Sequence, residues 1–277
     1  MTSLSRRTIG WTAAAALVAL FALIRLVPVV GAADRYASSG RLDGGTTLIT
    51  VQRLALATIS VGTLAVGLLV LAAVTFRRRG AVAAVRITAS VLGAAASAEL
   101  LKRILPFDPI HTSAGQAITS GSFPSGHAAI AAAFALAVAA TIRPQRARLW
   151  WGPLVAWVSL VAAGTVAAGW HRPSDAVGGV LVAVVWHASL VRRPAPETAP
   201  MAVPRAPIVQ RRAWASPDWR WWGVACAAIL VGALAPRAGG EVELRETAGQ
   251  LYLLGLAAVL AATGALVLVA PHRAVAS

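Results

Sequence analysis

The sequence predicts an all-α fold, a polytopic membrane bundle of six core helices followed by two more near the C-terminus. Three observations predict it. Hydrophobic residues fill 58% of the 277 positions and charged residues 13%, with a mean hydropathy of +0.71, a balance that no soluble domain of this length carries on its surface. Apolar stretches recur at lengths that cross about 30 Å of hydrocarbon as helices. The arginines gather in alternate loops, as membrane topology requires.

Eight spans are expected. The first, 9–30, follows Arg6-Arg7, and the second, 50–76, stops at Arg77-Arg78-Arg79. The third, 81–101, runs into Lys102-Arg103, and the fourth, 125–142, opens at Pro124-Ser125. The fifth, 150–170, has Trp150-Trp151 at one end and Trp170 at the other, where interfacial aromatics belong. The sixth, 174–191, starts after Pro173 and ends at Arg192-Arg193. The seventh, 221–236, follows Trp219, Trp221 and Trp222, and the eighth is 249–270. Residues 193–220 are rich in Pro and Arg, a composition that suits an extended linker. The expected organisation is therefore a core over 1–192, a linker over 193–220 and a two-helix extension over 221–277, which serves packing or an oligomer contact. No internal repeat is evident.

The net charge of +15 is explained by topology rather than by nucleic acid. With the N-terminus inside, the inner segments hold 16 of the 25 basic residues; the outer ones hold eight, mixed with Asp34, Asp43, Asp108, Asp175, Glu241, Glu243 and Glu246. Both termini are thus expected in the cytoplasm of a multi-pass cell-membrane protein. Ser5-Arg6-Arg7 before an apolar run resembles a secretory or twin-arginine signal, but the run is long and an uncleaved first helix is expected. Cys226, alone in the chain, offers no internal disulfide. Arg25 and Glu99 fall within predicted spans, where an ionisable group pairs, faces a wet cavity or snorkels to the interface.

Two clusters carry chemistry. Pro124-Ser125-Gly126-His127 is followed, 44 residues on, by His171-Arg172-Pro173-Ser174-Asp175, and both open helices on the predicted outer face. Ser125 is a good N-cap, Gly126 lets backbone approach a ligand, and a helix start offers free N–H groups to an anion. His127 on the first turn is placed to give a proton to a leaving oxygen. Asp175 reaches back to His171, fixing its tautomer and leaving the other nitrogen as a nucleophile. Lys102, the only lysine beside 24 arginines, stands 25 residues before His127 and supplies a point charge for phosphate. A metal held by His127, His171 and Asp175 is the weaker reading, because Lys102 would repel it.

At these residues the chain resembles the type 2 phosphatidic acid phosphatase superfamily, integral-membrane lipid phosphatases related to vanadium haloperoxidases. The resemblance covers roughly residues 50–192. It implies a six-helix core, a phosphohistidine intermediate, and neither metal nor cofactor. It further implies His171 as nucleophile, Asp175 as its orienting partner, His127 as general acid, and Lys102, Ser125 and Gly126 as phosphate ligands. Two departures stand out. The arginine of the family's first motif is missing near Asp108-Pro109, and Gly164-Thr165 stands where the third motif has Ser-Arg. Arg172 and Arg103 are the candidates to replace the lost phosphate clamps, with His111 a weaker one. The expected function is a metal-independent phosphatase for a polyprenyl or glycerolipid phosphate or diphosphate at the outer face. A lipid-diphosphate phosphotransferase and a degenerate, phospholipid-binding scaffold are the alternatives, and oligomeric state is open.

Overall fold

A computed structural model describes residues 6–39, 46–105, 110–111, 117–118, 122–142, 144–191 and 244–269. Nine helices are seen among them: α1 (Arg6–Leu26), α2 (Pro28–Ser39), α3 (Thr46–Ala57), α4 (Val61–Arg79), α5 (Ala81–Ile104), α6 (Gly126–Thr141), α7 (Pro144–Ala167), α8 (Pro173–Leu190) and α9 (Leu244–Val269). Between α5 and α6, Ile110-His111 pairs antiparallel with Ala117-Ile118. Five stretches are long and apolar enough to cross a membrane: Arg6–Leu26, Val61–Arg79, Ala81–Ile104, Trp150–Ala167 and Pro173–Leu190. The chain is a multi-pass helical bundle. Gly126–Thr141 and Tyr252–Leu266 are shorter apolar helices.

Three expected elements are corrected. The first span ends at Leu26 rather than at 30, and Pro28 opens a separate 12-residue helix, α2, where a loop was expected. At about 18 Å, α2 is too short to span. The single helix expected over 50–76 is two, because Ser60 caps α4: its hydroxyl accepts the Thr63 amide while Thr63 Oγ1 accepts the Ser60 amide. Thr63 Oγ1 also bonds the Thr58 carbonyl, closing the turn between α3 and α4. The fifth helix starts six residues earlier than expected, at Pro144, where the fixed φ of proline suits a first turn. The expected seventh span, the 193–220 linker and Cys226 lie outside the described residues.

The bundle is built around α6, which packs against α8, α7, α5 and α4. Nine of its alanines are buried, so it is apolar on all sides and thin enough for neighbours to close in. Leu136, Ile87, Val155, Val158 and Val161 fill the surrounding core. Polar side chains stitch helices together: Thr75 to Thr141 at 3.0 Å, Ser159 to Thr263 at 2.7 Å, and the Trp186 indole to Ser97 at 2.9 Å. Such bonds contribute about 0.6 kcal/mol each inside a membrane protein. Helix α9 is an integral part of this bundle, against α2, α8 and α7. Its Tyr252 and Val259 share an apolar cluster with Ala128, Ala162, Val166 and Ala176. Gly255 is required there, because a β-carbon would run into the Pro173 ring.

Candidate active site

The two motifs meet where the starts of α6 and α8 abut. Ser125 is the N-cap of α6, its hydroxyl accepting the Ala128 amide at 3.4 Å. Its own amide donates to the Asp175 carbonyl at 2.8 Å, which ties one motif to the other through backbone. The Gly178-Gly179 pair makes this approach possible. A β-carbon on Gly179 would collide with the Ser125 carbonyl oxygen and lie 2.9 Å from the Ala129 nitrogen; one on Gly178 would meet the Phe123 ring at 2.6 Å. Gly179→Val should therefore push α8 off α6, at a typical overpacking cost of about 1–3 kcal/mol. Thermal unfolding in detergent should show a lowered midpoint, and an unchanged one would contradict the close fit.

The loop into the second motif is held by main chain. Gly169 takes φ +71°, a left-handed turn that favours glycine. The Thr165 carbonyl then accepts the amides of both Trp170 (3.1 Å) and His171 (3.2 Å). Any residue type could provide that carbonyl. The Thr165 side chain is itself buried, its hydroxyl bonded back to the Ala162 carbonyl at 2.8 Å.

Asp175 has no exposed surface. Its Oδ2 accepts the Arg172 amide at 2.9 Å and stands 3.4 Å from His171 Nδ1, at the long limit of a hydrogen bond. Catalytic contacts are often this long before substrate binds. Lys102 lies in the last turn of α5, where a cation suits the helix dipole, and its Nζ comes within 3.3 Å of where a Gly126 β-carbon would be. The His127 ring packs on Trp170 at 5.7 Å between centroids, with His171 and Lys102 near enough to act on it. Lys102, Gly126, His127, His171 and Asp175 are thus brought together at one end of the bundle.

The arginines are placed differently. Arg172, the N-cap of α8, is buried rather than interfacial. Arg103 is 74% exposed and pairs with Glu99 at 3.4 Å. Glu99 also meets Lys102 at 3.7 Å, so its partners shown here are cations of its own helix. The His111 side chain and Asp108-Pro109 lie outside the described residues. Among the described residues, no group of three or more His, Cys, Asp or Glu is gathered as a metal site.

One residue was missed by the sequence reading. Asp34, on α2, accepts from Ser174 twice, from the amide at 3.1 Å and from the hydroxyl at 2.6 Å. Burial pushes its carboxyl up to about 6, against the pull of the Ser174 hydroxyl; Asp175 raises it further, and Arg172 lowers it. Between pH 3.8 and about 6 the folded protein therefore holds a proton that the unfolded chain has released. The stability from this group is full below the ordinary carboxylate value of 3.8 and is lost as pH rises through about 6. The unfolding midpoint of wild type relative to Asp34→Asn should fall across that window and level off above it. An unchanged difference would contradict the burial of Asp34.

Lys102, His127, His171 and Asp175 thus converge at the joined helix starts. Residues 80–198 match the PAP2 superfamily. The matched segment takes in α5 to α8 and every site residue proposed from sequence, while Asp34 and α9 fall outside it. No curated protein and no solved structure matches the chain. The PAP2 match supports a hydrolase of phosphoric esters in general.

Proposed function

We propose that the protein is a lipid phosphatase of the PAP2 type, acting without metal on a lipid phosphate or diphosphate at the outer face through a phosphohistidine. The observation that carries this reading is the juxtaposition of His127, Lys102 and the His171–Asp175 pair at the abutting starts of α6 and α8.

In this reading Asp175 accepts the His171 Nδ1 proton, which leaves a lone pair on Nε2. Nε2 attacks phosphorus, the Nε2–P bond forms, and the P–O bond to the lipid breaks. His127 gives its proton to the departing alkoxide. The now neutral His127 takes a proton from water, whose oxygen attacks phosphorus as the N–P bond breaks, and inorganic phosphate leaves. Lys102 and the free amides at the start of α6 face the charge on the equatorial oxygens. Helices hold the acyl or prenyl tail in the bilayer while the polar end enters the site. Arg172, and less directly Arg103, stand for the absent family arginines.

The test is phosphate release by purified protein in detergent or nanodiscs from phosphatidate, phosphatidylglycerol phosphate and polyprenyl diphosphate, with EDTA present. Activity that survives chelation supports the reading. Activity lost on chelation, or transfer of label to an added lipid or sugar acceptor with no free phosphate, contradicts it. Thr165, lodged where the family has its arginine, favours a second reading in which phospholipid binds without turnover. Saturable binding with no phosphate released would select that one.

A further inference from the structure

Two carboxylates share the first turn of α8. Asp175, inside the motif, takes the amide of Arg172. Asp34, from another helix and 140 residues away, takes the amide and the hydroxyl of Ser174. Between them they satisfy two of the amides that a helix start leaves free, and they do so on either side of Pro173. Ser174 is fixed at both main chain and side chain, and it is the residue directly before Asp175.

The geometry gives this contact leverage. His171 Nδ1 lies 3.4 Å from Asp175 Oδ2, so a small rotation of the α8 start either makes or breaks that bond. Four attachments oppose such a rotation. The Ser125 amide holds the Asp175 carbonyl, Gly179 seats α8 on the Ser125 turn, Gly255 of α9 seats against Pro173, and Asp34 holds Ser174. Only the last is a pair of polar side-chain bonds from outside the PAP2 segment. Helix α2 is itself wedged against α9 and α1 as well as α8, so Asp34 is presented from a braced element.

Resting on the phosphatase reading for its kinetic readout, we propose that Asp34 is a positioning residue: its bonds to Ser174 set the alignment of Asp175 with His171. Asp34 works through α8 and takes no part in the chemistry itself. Asparagine is the discriminating substitution. Its carbonyl accepts the Ser174 amide, and its NH2 donates to the Ser174 hydroxyl turned round as acceptor, so both contacts persist without the charge.

The experiment uses the full chain in nanodiscs as wild type, Asp34→Ala and Asp34→Asn. Phosphate release from a phosphatidate vesicle substrate should show kcat reduced about ten- to a hundredfold in Asp34→Ala, the scale of a small misplacement in an active site, with KM within about twofold. Asp34→Asn should recover most of that loss. Amide hydrogen exchange over 172–176 should quicken at least about tenfold in Asp34→Ala and stay near wild type in Asp34→Asn. Equal damage in both variants would assign the effect to charge and overturn positioning, as would a fall confined to KM. Should the wild type release no phosphate, the phosphatase reading fails, and exchange still decides the proposal: unaltered exchange in Asp34→Ala overturns it. If Asp34→Ala does not fold, Ser174→Ala removes the hydroxyl contact alone, and unchanged kcat and exchange there overturn it equally.

Discussion

On the proposed mechanism, replacing His171 with alanine should lower phosphate release by at least about a thousandfold, because loss of a covalent nucleophile would remove the reaction path rather than one contact along it. The position allows a clean test. The His171 ring is buried in a loop whose backbone is held by the Thr165 carbonyl and whose following turn is capped by Asp175, so the bonds that shape the loop use main-chain atoms of residue 171. The substitution should therefore spare the fold, and an unfolding midpoint near wild type checks this. Asp175→Asn probes the same pair from the other side: an amide can present its NH2 to Nδ1 and favour the wrong tautomer, which in an Asp-oriented histidine costs about 10⁴ in kcat. Full activity in either variant would remove the histidine mechanism.

Lys102→Met should lower kcat by about 10² to 10³, the effect of deleting one preorganised donor to an oxyanion. Methionine keeps the length and the apolar stem, so packing at the end of α5 is retained while the ammonium is lost. On the proposed reading the effect should be large, because neither arginine that the resemblance implies is present to share the load. The Lys102 side chain is 21% exposed and that of its partner Glu99 57%, so that ion pair contributes little to stability and the variant should unfold near the wild-type temperature. Lys102→Arg should restore charge but not shape, since a planar guanidinium does not fit where a compact ammonium approaches Gly126. A Lys102→Met enzyme with wild-type kcat would show that the cation at this position does not bear on the phosphate.

What could be read from sequence followed how local its cause was. The starts of α6 and α8 were predictable almost to the residue, since Ser125 and Pro173 act within one turn and their roles need no distant partner. The convergence of His127, Lys102 and His171 was also foreseeable from chemistry, for each sits where a helix meets the same predicted face. The break at Ser60 was hidden because hydropathy averages over a window, and Thr58-Ile59-Ser60 is apolar enough to pass as helix interior. Helix α2 was missed for the opposite reason: mixed and partly polar, it reads as a loop and gains its place by packing against α8 and α9. Asp34 was therefore invisible as a site residue, since no spacing links position 34 to position 174. The best available signal was weak, an acid eight residues beyond the end of an apolar helix. Helix α9, having no motif, was expected to serve packing or an oligomer contact, and it packs within the bundle. Its role as a wall behind Pro173 depends on one glycine whose meaning appears only when the helices are together.

The absence of the arginines that the resemblance implies has a local structural counterpart. The Thr165 side chain is turned into the bundle, its hydroxyl on the Ala162 carbonyl, while its main-chain carbonyl, which any residue could supply, takes the amides of Trp170 and His171. Arg172 is drawn into the interior at the start of α8, near enough to Asp34 to favour its ionised form.

The most direct measurement is a rapid-quench labelling experiment with a lipid substrate carrying radioactive phosphate in its headgroup. Wild-type protein should carry acid-labile, alkali-stable label that maps to His171 and turns over with the substrate, and His171→Ala should carry none. Substrate turnover with no label on the wild-type chain, or with the label on any other residue, would contradict the phosphohistidine route.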